Sequence, residues 1–459
     1  MKLNRLPELQ RREFLRRASA LGVAGTAAPW ALSLAGIGEA AAATAPGDYK
    51  ALVCVFLYGG NDYGNTLVPY DDASYAAYAS IRQALATPRD SLAATALPVG
   101  ADGRQMALAP QFGRLKGLWD AGKLAVQLNI GTLVQPTTLA QYKARSVPLP
   151  PKLFSHNDQQ SVWQASSPEG ATSGWGGRMG DLFLGGNTTS TFTCINASGN
   201  AVYMSGKQAV QYQVSTSGAV AINGITKSLY GSQACSTALR ALITGADRTH
   251  LMEAELNRVV KRSVDAQATL SAALAGVPAL TTPFDTSASL SNQLAMVAKL
   301  IAARQALGVS RQVFFVSIGG FDLHDFLVAQ HPGLLTQIND ALASFYAATV
   351  ELGVANQVTT FTASDFGRTL TSNGDGSDHG WGSHHVVMGG AVKGGRFYGA
   401  LPSVSVNGPD DVGQGRLLPT TSVDQLAATL ATWMGVSATD LPTVLPQIGN
   451  YTQKDLGYF

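Results

Sequence analysis

Five of the seven histidines in this 459-residue chain stand between Arg311 and Gly395: His324, His331, His379, His384 and His385. Carboxylates are set among them. Asp322 closes the run Gly319-Gly320-Phe321-Asp322, Asp365 lies in Ala363-Ser364-Asp365-Phe366-Gly367-Arg368, and Asp378 directly precedes His379. Imidazoles and carboxylates converging on one rim are the side chains that hold a divalent metal. The last histidines are packed into Asp378-His379-Gly380-Trp381-Gly382-Ser383-His384-His385, where Gly380 and Gly382 allow sharp turns before the apolar run Val386-Val387-Met388. If that run is a strand, alternation puts His384 and His385 on opposite sides. His385, nearest the strand, is the one expected to face the rim.

Two β-branched, apolar runs must position the first carboxylates. Val313-Phe314-Phe315-Val316 leads to Asp322, and Val358-Thr359-Thr360-Phe361-Thr362 leads to Asp365. Both read as buried strands. Between them the spacing of Leu334, Leu335, Ile338, Leu342 and Phe345 predicts a helix over 332–352. Strand, loop, helix, strand, loop is the order of a parallel α/β sheet, whose ligands bind beyond the carboxyl ends of the strands. A further strand, Ala51 to Tyr58, runs into Gly59-Gly60-Asn61-Asp62-Tyr63-Gly64-Asn65-Thr66, which is either a plain turn or places Asp62 as another metal ligand.

The rest of the chain frames this core. Helices are expected over 70–86, 251–264, 289–307 and 423–434, with a strand over 124–130. His156, in Phe154-Ser155-His156-Asn157-Asp158, reads equally as a capping residue or as a member of the site. Arg178, in Gly174-Trp175-Gly176-Gly177-Arg178, suits an anionic substrate or a neighbouring carboxylate. Residues 185–235 alternate in short Thr-, Ser- and Gly-rich runs and read as small strands inserted over the mouth of the site. Cys54 reads as a packed thiol, while Cys194 and Cys235 are free to pair or not.

Composition narrows the partners. A net charge of +2 with only 14% charged residues argues against a broad polyanion-binding surface, and no basic stripe with interleaved aromatics points to nucleic acid. Residues 1–44 carry Arg11-Arg12 before Phe14-Leu15, a moderately apolar Ala- and Gly-rich stretch, and Ala40-Ala41-Ala42-Ala43. That is the pattern of a removable twin-arginine export signal, so a periplasmic or secreted protein is expected, with no membrane span after removal.

As an ordered set, these motifs resemble those of the secreted family catalogued as domain of unknown function 1501. They are Phe56-Leu57-Tyr58-Gly59-Gly60-Asn61-Asp62, Ser155-His156 with Trp163, Gly174-Trp175-Gly176-Gly177-Arg178, Gly319-Gly320-Phe321-Asp322-Leu323-His324, Ser364-Asp365-Phe366-Gly367-Arg368, Asp378-His379-Gly380 and Gly389-Gly390-Ala391-Val392-Lys393-Gly394-Gly395. The family usually has Glu where Asp365 stands. Its place in the alkaline phosphatase-like superfamily implies a three-layer α/β/α sandwich with a mostly parallel sheet and a two-metal site hydrolysing phosphate or sulfate esters. In that superfamily an Asp follows the first strand, as Asp62 does, and a later strand end gives an Asp and a nearby His, which Asp322 and either His324 or His331 would match. The next gives adjacent Asp-His. Here Phe366 follows Asp365, and Asp378-His379 comes a short loop later. No Cys-x-Pro-x-Arg run is present, which argues against a formylglycine nucleophile.

The resulting expectation is an exported hydrolase of an anionic ester, small or part of a sulfated or phosphorylated polymer. One or two divalent ions (zinc, manganese or calcium) would be held by Asp62, Asp322, His324, Asp365, His379 and His385. Thr66 is the hydroxyl candidate for nucleophile, Arg368 and Lys393 for oxyanion binding, and His156 and Arg178 for substrate contact. The rival expectation is a non-enzymatic binding or assembly protein on a decayed hydrolase fold.

Overall fold

The computed structural model describes residues 48–459 except Ala101 and Asp247. The proposed export signal lies outside the described residues. The strands in chain order are β1 (Lys50–Leu57), β2 (Leu67–Pro69), β3 (Met106–Leu108), β4 (Leu124–Gly131), β5 (Cys194–Asn196), β6 (Tyr212–Ser215), β7 (Gly218–Ala219), β8 (Arg311–Ile318), β9 (Val358–Ser364), β10 (Ser383–Gly389), β11 (Phe397–Tyr398) and β12 (Thr421–Ser422). The main sheet runs β11-β4-β10-β9-β1-β8-β5-β6-β7, with β12 also on β4, and β2 and β3 pair separately.

β1 lies parallel between β8 and β9, and β5 and β6 continue parallel beyond β8. β10 runs against both β9 and β4. The carboxyl ends of β1, β8 and β9 therefore share one edge with the start of β10. The loops that follow Leu57, Ile318 and Ser364 meet there.

Alternation along the strands builds two cores. Ala51, Val53, Val55 and Leu57 of β1 pack on one face with Phe314 and Val316 of β8, under helices Ser289–Ala302 and Leu327–Glu351. Leu52, Cys54 and Phe56 pack on the other with Val313 and Phe315, under helices Trp175–Phe183 and Val423–Met434. Helices cover both faces, so the three-layer α/β/α sandwich with a mostly parallel sheet is realised. A strand buried on both faces has no polar side to show, which is why these runs are nearly continuously apolar.

Two expectations change, and one open point closes. The long helix begins at Leu327, with Pro332 inside it; Pro332 is not its start. The short strands of 185–235 mostly add to the far side of the main sheet: β5 pairs with β8, and β6 with β5. They prolong the sheet by backbone pairing and do not cap the rim. Cys194 and Cys235 are unpaired thiols, the first buried in β5 and the second exposed on helix Gln233–Thr244.

Candidate metal centre

Helix His156–Ala165 begins with His156 itself, which the helix start delivers to the rim. His156 Nδ1 lies 2.6 Å from Asp365 Oδ2, just past the end of β9. The same oxygen accepts N–H bonds from Gln160 Nε2 (2.9 Å) and Gly59 (3.2 Å), so it acts as an acceptor throughout. His379 Nδ1 lies 2.7 Å from the Phe154 carbonyl oxygen, which can only accept. His324 Nδ1 lies 3.2 Å from Asp378 Oδ1, itself bonded by Asn373 Nδ2 at 3.0 Å.

These partners fix the tautomers. Each Nδ1 carries the proton, and each neutral ring presents its Nε2 lone pair. The lone pairs converge. His379 Nε2 is 3.1 Å from His156 Nε2 and 2.9 Å from His324 Nε2. Asp322 completes the cluster, with Oδ1 3.1 Å from both His324 Nε2 and His379 Nε2, and Oδ2 3.3 Å from His156 Nε2. Ligand atoms of His156, Asp322 and His379 all lie within 4.8 Å of one another. Facing lone pairs repel unless a cation stands between them. Two nitrogens on one tetrahedral zinc, each at about 2.0–2.1 Å, are separated by roughly 3.3 Å. The donor set and its spacing therefore fit a divalent ion, and a carboxylate or carbonyl behind each histidine is the usual support of a metal ligand.

Electrostatics agree with this division. The hydrogen bond to Asp365 raises the His156 pKa, against the opposing effect of burial. Burial lowers that of His379. Burial is the largest single effect and would raise the Asp322 pKa, but the bond from Arg368 Nη1 (2.9 Å) and the charges of Arg368, His156 and His379 together lower it. Asp322 and His324 are 45% and 40% exposed at the side chain, so the cluster opens to solvent.

Close backbone approach makes the rim possible. Gly59 has φ +115°, and a Cβ there would lie 2.3 Å from the Asp322 nitrogen. At Gly376 a Cβ would lie 2.1 Å from the His324 carbonyl oxygen. Only glycine lets these loops touch.

Of the expected ligands, Asp322, His324 and His379 come together. Asp365 stands behind His156 as its acceptor. Asp62 is elsewhere: its buried carboxylate caps Gly64 N at 3.2 Å and pairs with the buried Arg82, a base in helix Asp72–Arg82. His385 lies within β10 at the level of Thr362, its Nδ1 3.2 Å from Thr362 Oγ1 and its ring edge-on to Trp163. His384 is turned the other way, its Nδ1 accepting from Asn129 N at 3.0 Å. The two do alternate, but both are enclosed within the sheet and neither reaches the rim.

The catalytic and substrate assignments change as well. Thr66 Oγ1 donates to the Asp62 carbonyl at 2.7 Å and closes its own turn. Arg368 is fully buried and donates to Asp322, the Gly59 carbonyl (2.9 Å) and Ser377, so it positions Asp322 and leaves no donor for an ester. Lys393 follows the carboxyl end of β10, at the opposite edge of the sheet, and bonds the Phe459 carbonyl. Arg178 is buried and holds the carbonyls of Val444, Ser173 and Ala165 at 2.8–3.1 Å. His156 belongs to the cluster itself and is not a peripheral substrate contact.

Sequence reasoning missed Gln160, Phe366 and Arg416. Gln160 follows His156 by one helical turn, a spacing that was available. The Phe366 ring packs 4.9 Å from His156 and 4.7 Å from His379, and Arg416 Nε holds the His379 carbonyl at 2.6 Å. Phe366 was marked in the sequence only as the residue standing where the superfamily pattern has His; nothing local marks Arg416.

An α/β sandwich with a histidine–carboxylate cluster at the carboxyl edge of its parallel strands defines the class of this protein. The chain belongs to the family described as protein of unknown function (DUF1501), whose model matches residues 49–443. No curated protein matches the sequence. Among solved structures, the chain is similar to the PsFucS1 sulfatase from Pseudoalteromonas sp., at 9% identity and a TM-score of 0.36, covering 86% of this chain and 69% of that one. It is also similar to Ps i-CgsB in complex with k-i-k-neocarrahexaose, at 9% identity and TM-score 0.37, covering 88% and 77%. The C-terminal periplasmic domain of EcEptC from Escherichia coli, in complex with Zn, matches at 11% identity and TM-score 0.32, covering 87% of each chain.

Proposed function

We propose that this protein is a metal-dependent hydrolase of an anionic ester, phosphate or sulfate, acting at the rim formed by His156, Asp322, His324 and His379. The observation that carries the reading is the grouping of ligand atoms of His156, Asp322 and His379 within 4.8 Å of one another, with His324 Nε2 beside the last two. Three imidazoles to one carboxylate favour zinc over calcium, which prefers six to eight oxygens. One ion would fit this set; a second could share the two-oxygen carboxylate of Asp322 but not His379, whose ring has one free lone pair. Such an ion supplies Lewis acidity toward the ester oxygen and lowers the pKa of an attacking water.

The residues of the chain do the rest. Asp365, Asp378 and the Phe154 carbonyl hold the three rings in their tautomers. Arg368 holds Asp322 ionised. His324, the most open of the three rings and backed by Asp378, completes the set on the solvent side. Water is the nucleophile, because Thr66 is engaged in its own turn and Cys54 and Cys194 are buried away from solvent.

Two features favour the second reading, a binding protein on the same fold. The Phe366 ring fills the space against His156 and His379, and no side-chain hydroxyl or thiol contacts the cluster among the described residues. Assay of the zinc-loaded and chelator-treated protein on aryl phosphate, phosphodiester and aryl sulfate esters separates the readings. The hydrolase reading expects turnover on at least one, lost with chelator and restored by metal. Full metal occupancy with no turnover on any would leave the binding protein.

A further inference from the structure

Nine of the thirteen large apolar side chains that are exposed among the described residues lie between Val210 and Val259. Four of them, Leu242, Leu251, Met252 and Leu256, are 59–83% exposed. They share one end of a helical hairpin, formed by helices Gln233–Thr244 and Leu251–Ala275. Asn257 pins that end by donating to the carbonyls of Leu242 (3.2 Å) and Gly245 (2.8 Å). Met252, Leu256 and Val259 recur at the spacing of one helix face.

Cations fringe this surface. The 233–275 hairpin holds Arg240, Arg248, Arg258, Lys261 and Arg262 against Asp247, Glu253, Glu255 and Asp265, so 5 − 4 = +1, with Lys227 just before it; Arg258 and Lys261 pair with Glu255 and Asp265. Lys227, Arg240 and Arg262 are exposed and have no ion-pair partner among the described residues. A second copy is a poor occupant, since a two-fold contact sets a patch against itself and brings its arginines together. An anionic bilayer satisfies both features: apolar side chains enter the acyl boundary while arginines meet lipid phosphates. No helix among the described residues is long and apolar enough to cross a membrane, so the contact is interfacial.

We propose that the 233–275 hairpin docks this protein on an anionic lipid surface, with Leu251, Met252 and Leu256 inserted and Arg240 and Arg262 at the phosphates. Co-sedimentation of the full chain with vesicles of phosphatidylglycerol and phosphatidylcholine, and of phosphatidylcholine alone, tests this. Making every variant in the full chain keeps residues 1–47 common to all arms. The wild type is expected to bind the anionic vesicles. L251Q/M252Q is expected to lower partitioning about tenfold or more, and R240Q/R262Q to abolish the preference for anionic lipid. Thermal melts should be unchanged; if L251Q/M252Q melts early, L256Q decides. Absence of wild-type binding overturns the proposal, as does binding unaffected by the apolar substitutions. A lipid-independent dimer dispersed by L251Q/M252Q would overturn it in favour of self-association.

Discussion

Asp365 is placed as a carboxylate that would support a metal ligand without touching the metal. Its Oδ2 gathers three N–H donors, one of them His156 Nδ1, and this leaves His156 Nε2 as a lone pair directed at the cluster. Asp365→Asn keeps the size and removes the charge. Metal affinity, measured by competition with a chromophoric chelator, should fall by about 10–100-fold, the usual cost of losing such support. The pH dependence should move too. Protons compete with metal for His156, and the bond to Asp365 raises its pKa, so wild-type uptake weakens as pH falls through that raised value. In Asp365→Asn the weakening should set in at lower pH. Unchanged affinity and an unchanged profile would show that Asp365 does not act through His156.

At the scale of elements, β10 and helix Leu327–Glu351 carry histidines that serve packing. His384 and His385 of β10, and His331 of the helix, are fully enclosed. Burial lowers their pKa values to about 4 for His331 and His384 and about 3 for His385. Such groups stabilise the fold fully above their ordinary pKa of roughly 6.5, and that stability is lost as pH falls toward the folded values. Between pH 7 and pH 5 the loss should be of order 1 kcal/mol for each. His156, with its raised pKa, has the opposite sign, so its contribution is present below about 6.5 and lost as pH rises. His379 is lowered as well, and only His156 and the buried Asp424 carboxyl, pushed up to about 6, act the other way; four against two, the urea midpoint of metal-free protein should fall from pH 7 to pH 5. A midpoint that is flat or rises would contradict burial of these rings. The same elements show what the sequence could tell. The strand runs at 313–316 and 358–362 were legible because burial on both faces leaves an apolar signature. The choice between rim and interior for His385 was not, since one strand level decides it and no side chain in the run reports its depth.

For the whole molecule, the fold was legible in sequence, and so was the meeting of Asp322, His324 and His379 at one rim, since each belongs to a loop at the carboxyl ends of the strands. Asp62 occupies the same kind of loop, but its partner Arg82 stands twenty residues on in a helix, and only tertiary packing reveals the pair. His156 arrives from a helix start beside Asp365, 209 residues away, a separation at which spacing carries no signal. Export by the twin-arginine route is a proposal resting on Arg11-Arg12 and the small-residue run that follows. Arg11→Lys with Arg12→Lys should leave unprocessed precursor in the cytoplasm on fractionation; normal delivery of that variant would end this reading.

The central claim is that four side chains at one rim hold a divalent ion. Elemental analysis of the purified protein, with the variants His379→Ala, Asp322→Ala, His384→Ala and His385→Ala beside it, measures this most directly. We expect one or two equivalents of metal in the wild type and near-complete loss in His379→Ala and Asp322→Ala, whose donor atoms lie 3.1 Å apart at the centre of the cluster. His384→Ala and His385→Ala should retain metal, since Asn129 and Thr362 are their partners. A wild type that takes up no metal even when zinc is supplied, or loss through His385 with His379 dispensable, would contradict the account.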